Sequence, residues 1–378
     1  MQQDSGASVS AGGYPALRRL IGQAIERNGG WLPFDRFMAL ALYAPGLGYY
    51  THGDRQFGHL PGPAGEGSDF VTAPELSPLF GKALARQVAQ ALAACASDEV
   101  WEFGAGSGAL ALQLLEALGD SVARYTIVDL SGALRERQRE RLNAYAHKVR
   151  WVDELPAAMH GAIVGNEVLD AMPVQLLRFN GERWHERGVV AAPDGDGYAW
   201  AERPTAARPP GDAVFPPGAV TETHAQAEAF IATLAERLQR GAAFFIDYGF
   251  PRAEYHHPQR VEGTLMCHRA HRADTNPLVD VGEKDITAHV DFTGIALAAQ
   301  DAGLDVIGYT TQAHFLINCG IVGWLDGADV RLVANTQKLL MEHEMGELFK
   351  VIAFAKGCGD AFAHDAIGFV RGDRTHTL

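Results

Sequence analysis

From about residue 98 the chain alternates short, uninterrupted apolar runs with longer stretches whose apolar positions recur at helical spacing. EVWEFG, YTIVDL, VRWVDEL, GAIVGNEVL and AAFFIDYG are five such runs, rich in β-branched and aromatic residues. Strands buried on both faces have this character, and intervening helices bring successive strands parallel. Two later runs, LDVIGYTTQ and FKVIAFAKG, follow the helical FTGIALAAQDAG and are expected to add an antiparallel pair at one edge. The pattern predicts an α/β chain with a Rossmann-like, seven-stranded sheet covered by helices.

The rest of the chain sets the organisation around that sheet. Residues 1–13 are small and polar without periodicity, and are expected to form a disordered tail. Helical patterns fill much of 14–97: PALRRLIGQAIERNGG stops at two glycines and PFDRFMALALYAPG at Pro45-Gly46. The glycine-rich stretch 46–67 is long enough to suggest a lid. The core is expected over 98–173 and 241–357, interrupted by an insertion at 174–240 that carries an Asn180-Gly181 hairpin turn and a helix near 224–239. Residues 358–378 are assigned to a C-terminal tail.

Charge narrows the class of partner. A net charge of -14 opposes a polyphosphate backbone, so nucleic acid is disfavoured. The one compact basic run, RERQRER at 135–141, alternates with glutamates and suits a solvated helix face with internal ion pairs. Four scattered cysteines without a Cys-x-x-Cys pair point to a reducing compartment and to neither disulfides nor zinc. No apolar stretch is long enough to span a membrane, and the first residues resemble neither a secretory nor an import peptide.

The densest chemical signal is VWEFGAGSGAL at 100–110. Gly104, Gly106 and Gly108 fall at a strand-to-helix turn, where absent Cβ atoms let a ligand touch the backbone, including that of Ala105, and the helix N-terminus offers amide donors. A dinucleotide fingerprint would look similar. Glu102 tilts the choice: an acid at the strand end repels a pyrophosphate and attracts a sulfonium, favouring S-adenosyl-L-methionine, with S-adenosylhomocysteine as product, over NAD. Asp129, followed by Leu130 at the end of the next strand, is placed to accept ribose hydroxyls. NEVLDAMP at 166–173 ends the fourth strand, so Asn166, Glu167 and Asp170 would stand beside the methyl donor. It lacks the Asn/Asp-Pro-Pro-aromatic run usual in nucleic-acid aminomethyltransferases.

FMALALYAPGLGYY, SDFVTAPELSPLFGKALA, WEFGAGSGALA, GNEVLDAMPV, FFIDYG and DITAHVDFT resemble, in that order, the MidA-like methyltransferase family, over about residues 14 to 357. That family includes a mitochondrial complex I assembly factor with protein arginine methyltransferase activity. The resemblance implies a class I methyltransferase fold, a protein partner with a target arginine, and in mitochondrial members a complex I subunit as substrate. It also implies that Asp69 and Thr72 lie over the cofactor and His289 by the substrate. Without an import peptide, a bacterial cytoplasmic member is expected rather than a matrix protein. Extra residues, HLPGPAGEG, precede Ser68-Asp69-Phe70.

Local chemistry offers other roles for some of these residues. Thr72 and Glu75 have capping-box spacing, and His289 and Asp291 would share one face of a strand or a turn. Cys267, His268 and His271 lack a completing ligand, so no metal is expected. For an arginine acceptor, Glu167 and Asp170 would clamp the guanidinium and His289 would take the proton. A small-molecule O- or N-methyltransferase and a non-catalytic cofactor-binding assembly factor remain the alternatives, and oligomeric state is not legible.

Overall fold

The computed structural model describes residues 13–51, 71–193, 197–211, 213–269 and 272–378. The seven runs form one sheet: β1 (Glu99–Phe103), β2 (Arg124–Val128), β3 (Val149–Val152), β4 (Met159–Asn166), β5 (Leu238–Phe250), β6 (Asp305–Thr311) and β7 (Phe349–Lys356). Their order is β6-β7-β5-β4-β1-β2-β3. β7 alone runs antiparallel, pairing with both β5 and β6, and the two-residue strand Val290–Asp291 extends β5 in parallel. The chain winds outward from β1 through β2 to β3, then crosses to β4 on β1's other side. A crevice therefore opens at the carboxyl ends of β1 and β4, where open α/β sheets bind ligands.

Each sheet face has its own apolar core. Phe80, Leu84 and Val88 of one helix (Pro78–Ala94) and Leu110 and Leu114 of the next (Ala109–Leu118) pack on Val100, Val164 and Phe244. On the other face, helices Ala225–Arg237 and Phe292–Asp301 cover Trp101, Phe103 and Phe245. A third core joins helices Gly13–Arg27 and Phe34–Tyr43 to a small antiparallel sheet of Leu32–Pro33, Trp184–Ala191, Gln175–Phe179 and Val220–Thr223, with Tyr198–Pro204 at its side.

Several boundaries differ from expectation. The helix at 225–237 is no appendage: Ala227, Ile231 and Leu234 are buried beneath the main sheet, and β5 begins at Leu238. Residues 358–378 are no free tail, because Phe362, Ala366 and Phe369 are buried in the core and Asp373 accepts from the Tyr309 amide at 3.0 Å. Thr72 precedes the short helix Ala73–Leu76, but its side chain makes no capping bond. Glu75 instead accepts from Ser107 and from Arg141, the latter at 2.7 Å. In the 135–141 run Arg139 pairs with Glu136 within the helix, whereas Arg135 reaches Asp153 and the Asp129 carbonyl, and Arg141 reaches Glu75. The expected tail at 1–13 falls almost wholly outside the described residues, as does most of the 46–67 stretch.

Candidate active site

Gly104, Gly106 and Gly108 have φ of 61°, 51° and 81°, the left-handed region in which a Cβ is strained. Their turn delivers the chain from β1 into helix Ala109–Leu118 at the edge of a cavity of about 900 Å³. Ala105, Gly104 and Gly106 line it; Gly108 caps the helix and does not. A Cβ on Gly104 would lie 3.2 Å from Val168 Cγ2, so the loop is packed against the end of β4.

Glu102 is 2% exposed and lines this cavity. Burial pushes its carboxyl up to about 8; a hydrogen bond from the Tyr125 hydroxyl at 2.7 Å opposes the shift, and Asp129 adds to it. Asp129 is likewise raised by burial, and its donors resist. The Ser131 amide donates to Oδ1 at 2.9 Å and Gln138 Nε2 to Oδ2 at 2.8 Å. The same Gln138 nitrogen donates to the Gly106 carbonyl at 2.9 Å, tying acid to glycine loop. Leu130, 70% exposed, stands at the rim.

At the end of β4 the chain turns sharply, with Glu167 at φ 55°. Asn166 donates to Glu167 Oε1 at 2.9 Å, while Asn166 Oδ1 and Asp170 Oδ1 are buried without a hydrogen-bond partner. Burial raises Glu167 to about 8, with Asp170 as the next cause. Asp170 rises to about 6, again through burial, against a hydrogen bond from Tyr248. Both carboxyls line the cavity, and so does Thr72.

Beside them stands an aromatic wall. Tyr43 and Tyr50 stack with ring centres 5.5 Å apart; Tyr43 donates to the Ala171 carbonyl and Tyr50 to Asp285 Oδ1, each at 2.8 Å. Tyr248, His268 and His289 complete it. His289 stacks in parallel on Phe250 at 5.2 Å; burial, then Arg260, lowers its pKa to about 4, so the ring is neutral at pH 7. Its Nδ1 has no hydrogen-bond partner. Asp291 does not join the site: it caps helix Phe292–Asp301 and pairs with Arg252 at 3.0 Å.

The cavity thus gathers Glu102, Gly104, Ala105, Gly106, Asp129, Leu130, Asn166, Glu167, Asp170, Thr72 and His289 from the sequence-predicted set. Asp69 and His271 lie outside the described residues. Tyr43, Tyr50, Tyr248 and Asp285 were not predicted; all four fall in runs quoted for the resemblance, but nothing in their spacing marks them. Among the described residues no three His, Cys, Asp or Glu side chains are placed to hold a metal ion.

Comparison with known proteins bears on what enters this cavity. A family model described as "Putative S-adenosyl-L-methionine-dependent methyltransferase" matches residues 83–310. A crystal structure from Burkholderia thailandensis bound to S-adenosyl-homocysteine is 49% identical, with a TM-score of 0.91 over 99% of this chain and 100% of that one. The mitochondrial protein arginine methyltransferase NDUFAF7 homolog of Drosophila melanogaster is 25% identical over 94% of this chain and 88% of its own length. Its Caenorhabditis elegans counterpart is 25% identical over 78% and 74%.

Proposed function

This chain belongs to the S-adenosyl-L-methionine-dependent methyltransferase family with the class I fold, and from that premise we propose that it methylates an arginine of a protein substrate, a respiratory complex I subunit being the candidate. The observation that carries the proposal is the acid-lined, tyrosine-walled recess beyond the glycine loop. Glu167, Asp170 and Asp285 face it together with Tyr43, Tyr50 and Tyr248. A flat, delocalised cation finds there both carboxylate acceptors and aromatic faces. The 25% identical relatives are named arginine methyltransferases, which supports the same acceptor. The four free cysteines suit a reducing bacterial cytoplasm.

The donor half fits the cofactor. A Cβ at position 104 would crowd Val168 at 3.2 Å and be strained at φ 61°, and the buried Asp129 carboxylate is held by Ser131 and Gln138 with both oxygens oriented. We assign Gly104, Ala105, Gly106, Asp129, Leu130, Asn166 and Thr72 to its binding, and Glu102 to the neighbourhood of its positive charge. When bound, S-adenosyl-L-methionine supplies an activated methyl group.

The protein's own work is alignment and charge control. An arginine pKa above about 12 makes free deprotonation near pH 7 cost roughly 7 kcal/mol or more. Glu167 and Asp170 do not lower that cost; they hold the guanidinium in two-point contact and draw its charge toward the bonded nitrogens, leaving density on the nitrogen that attacks. Burial raises Glu167 to about 8, so it is mostly protonated at pH 7 until the cation enters and lets it ionise, whereas Asp170, raised to about 6, is already mostly charged. His289, neutral at pH 7, accepts the proton released as the nitrogen gains its methyl.

The test is incubation with methyl-labelled S-adenosyl-L-methionine and extract from a strain lacking this gene. Label in a protein, recovered as methylarginine and lost with Glu167→Gln, supports the reading. Label confined to small molecules overturns it.

A further inference from the structure

Asp247 is 1% exposed, at the carboxyl end of β5, where the neighbouring Ile246 is in register with Asn166 of β4. Its Oδ2 accepts from three consecutive backbone amides: Val168 at 3.1 Å, Leu169 at 2.9 Å and Asp170 at 3.2 Å. Its Oδ1 accepts from the Tyr248 amide at 2.9 Å. The Glu167 amide donates to the Ile246 carbonyl at 2.9 Å, so a main-chain bond fixes the first residue of the turn and the carboxylate fixes the next three.

Converging amides of this kind ordinarily form a nest for a ligand anion; here the chain fills the nest with its own side chain. The result is a turn held open in an unusual shape. Glu167 keeps a left-handed backbone that a non-glycine residue rarely adopts, and the far end is pinned by the Ala288 amide on the Asp170 carbonyl at 3.0 Å and by Tyr43 on Ala171. Both cavity-facing carboxyls are therefore set from behind.

We propose that Asp247 is a positioning residue for methyl transfer: without touching either reactant, it fixes where the Glu167 and Asp170 carboxylates stand. The inference rests on the clamp assigned to those two residues. Burial, with Asp170 and Glu167 nearby, raises the Asp247 pKa, and the four backbone amides converging on its two oxygens oppose that rise by favouring the carboxylate, which only accepts. An asparagine must turn its own amide hydrogens toward at least one of the backbone donors it faces.

The experiment compares wild type with Asp247→Asn, using saturating labelled S-adenosyl-L-methionine and whichever acceptor in the gene-deleted extract the wild type labels. An acceptor other than arginine would thus sink the function proposed above while leaving this test intact. Labelling should fall more than tenfold while the dissociation constant for S-adenosylhomocysteine, read by calorimetry, stays within threefold. Hydrogen exchange should show the 168–170 amides losing protection. Full-rate labelling by a variant whose 168–170 amides exchange freely would overturn the inference, as would a rate loss matched by an equal loss of S-adenosylhomocysteine binding. If the asparagine variant does not fold, Asp247→Glu, which keeps the charge but moves it by one methylene, should give the same split, and full-rate labelling there overturns the inference equally.

Discussion

Glu102→Gln removes one ionisable group and little else, since the Tyr125 hydroxyl can donate to an amide oxygen as it does to the carboxylate. In the ligand-free protein the carboxyl titrates at about 8 because it is buried. At pH 7 roughly one molecule in ten then carries the charge, and at pH 6 about one in a hundred. If the charged form is the one that holds a sulfonium, the apparent affinity for S-adenosyl-L-methionine weakens by about tenfold for each pH unit below 8, about 1.4 kcal/mol per unit. S-adenosylhomocysteine has no such charge and should bind without this dependence. Calorimetry from pH 6 to 9, in buffers of different ionisation enthalpy, reads both the slope and the proton released on binding. Glu167 titrates in the same range, so the decisive quantity is the difference in slope between wild type and Glu102→Gln, about one decade per unit. Equal slopes in the two proteins, or identical pH dependence for the two ligands in wild type, would refute the electrostatic reasoning.

Gly104→Val should reduce S-adenosylhomocysteine affinity more than a hundredfold by calorimetry, because the new side chain is strained at φ 61° and crowds both the ligand and Val168. The ligand-free protein should lose stability as pH rises from 6.5 to 8, followed by thermal melting. Glu102 and Glu167 have folded pKa values raised above their unfolded ones, so their contribution is full below the unfolded value near 4.5 and is lost as pH climbs through about 8. The loss is about 1 to 2 kcal/mol per group over that interval, and Glu167→Gln should melt higher than wild type at pH 8. Phe369→Ala should cost roughly 3 to 5 kcal/mol in denaturant unfolding, because the ring is buried against Phe315 and lies where any Cβ on Gly308 would stand.

The sheet was legible because its strands are buried on both faces, which leaves unbroken runs such as AAFFIDYG that helices seldom show. The helix at 225–237 was also visible, but the apolar stripe of Ala227, Ile231 and Leu234 says only that one face is buried, not which surface receives it. The C-terminal segment hid its packing because Phe362, Ala366 and Phe369, though at helical spacing, span only two turns among glycines and charged residues, too short a pattern to mark a buried face. Thr72 and Glu75 show a local rule overridden by tertiary partners, since Ser107 and Arg141 offer the glutamate more than a cap would. Within the cavity, the glycine loop and its acids carry a signal in consecutive residues. The tyrosine wall does not: Tyr43 ends a helix, Tyr50 follows in the turn after it, Tyr248 comes from β5, and only the fold brings β5 to the other two.

Tyr43 and Tyr50 hang from the third hydrophobic core, which shares no residue with the two that sandwich the seven-stranded sheet. The apolar packing beneath the tyrosine pair is thereby separate from that beneath the glycine turn, and the Tyr43 bond to the Ala171 carbonyl is what ties the pair to the turn that carries Glu167 and Asp170. Repacking around Phe37 or Met38 would tilt one wall of the recess while leaving the glycine turn untouched. Such a division lets acceptor preference diverge between descendants of one ancestor, and it marks the N-terminal helices as the place to begin if a new acceptor were to be engineered.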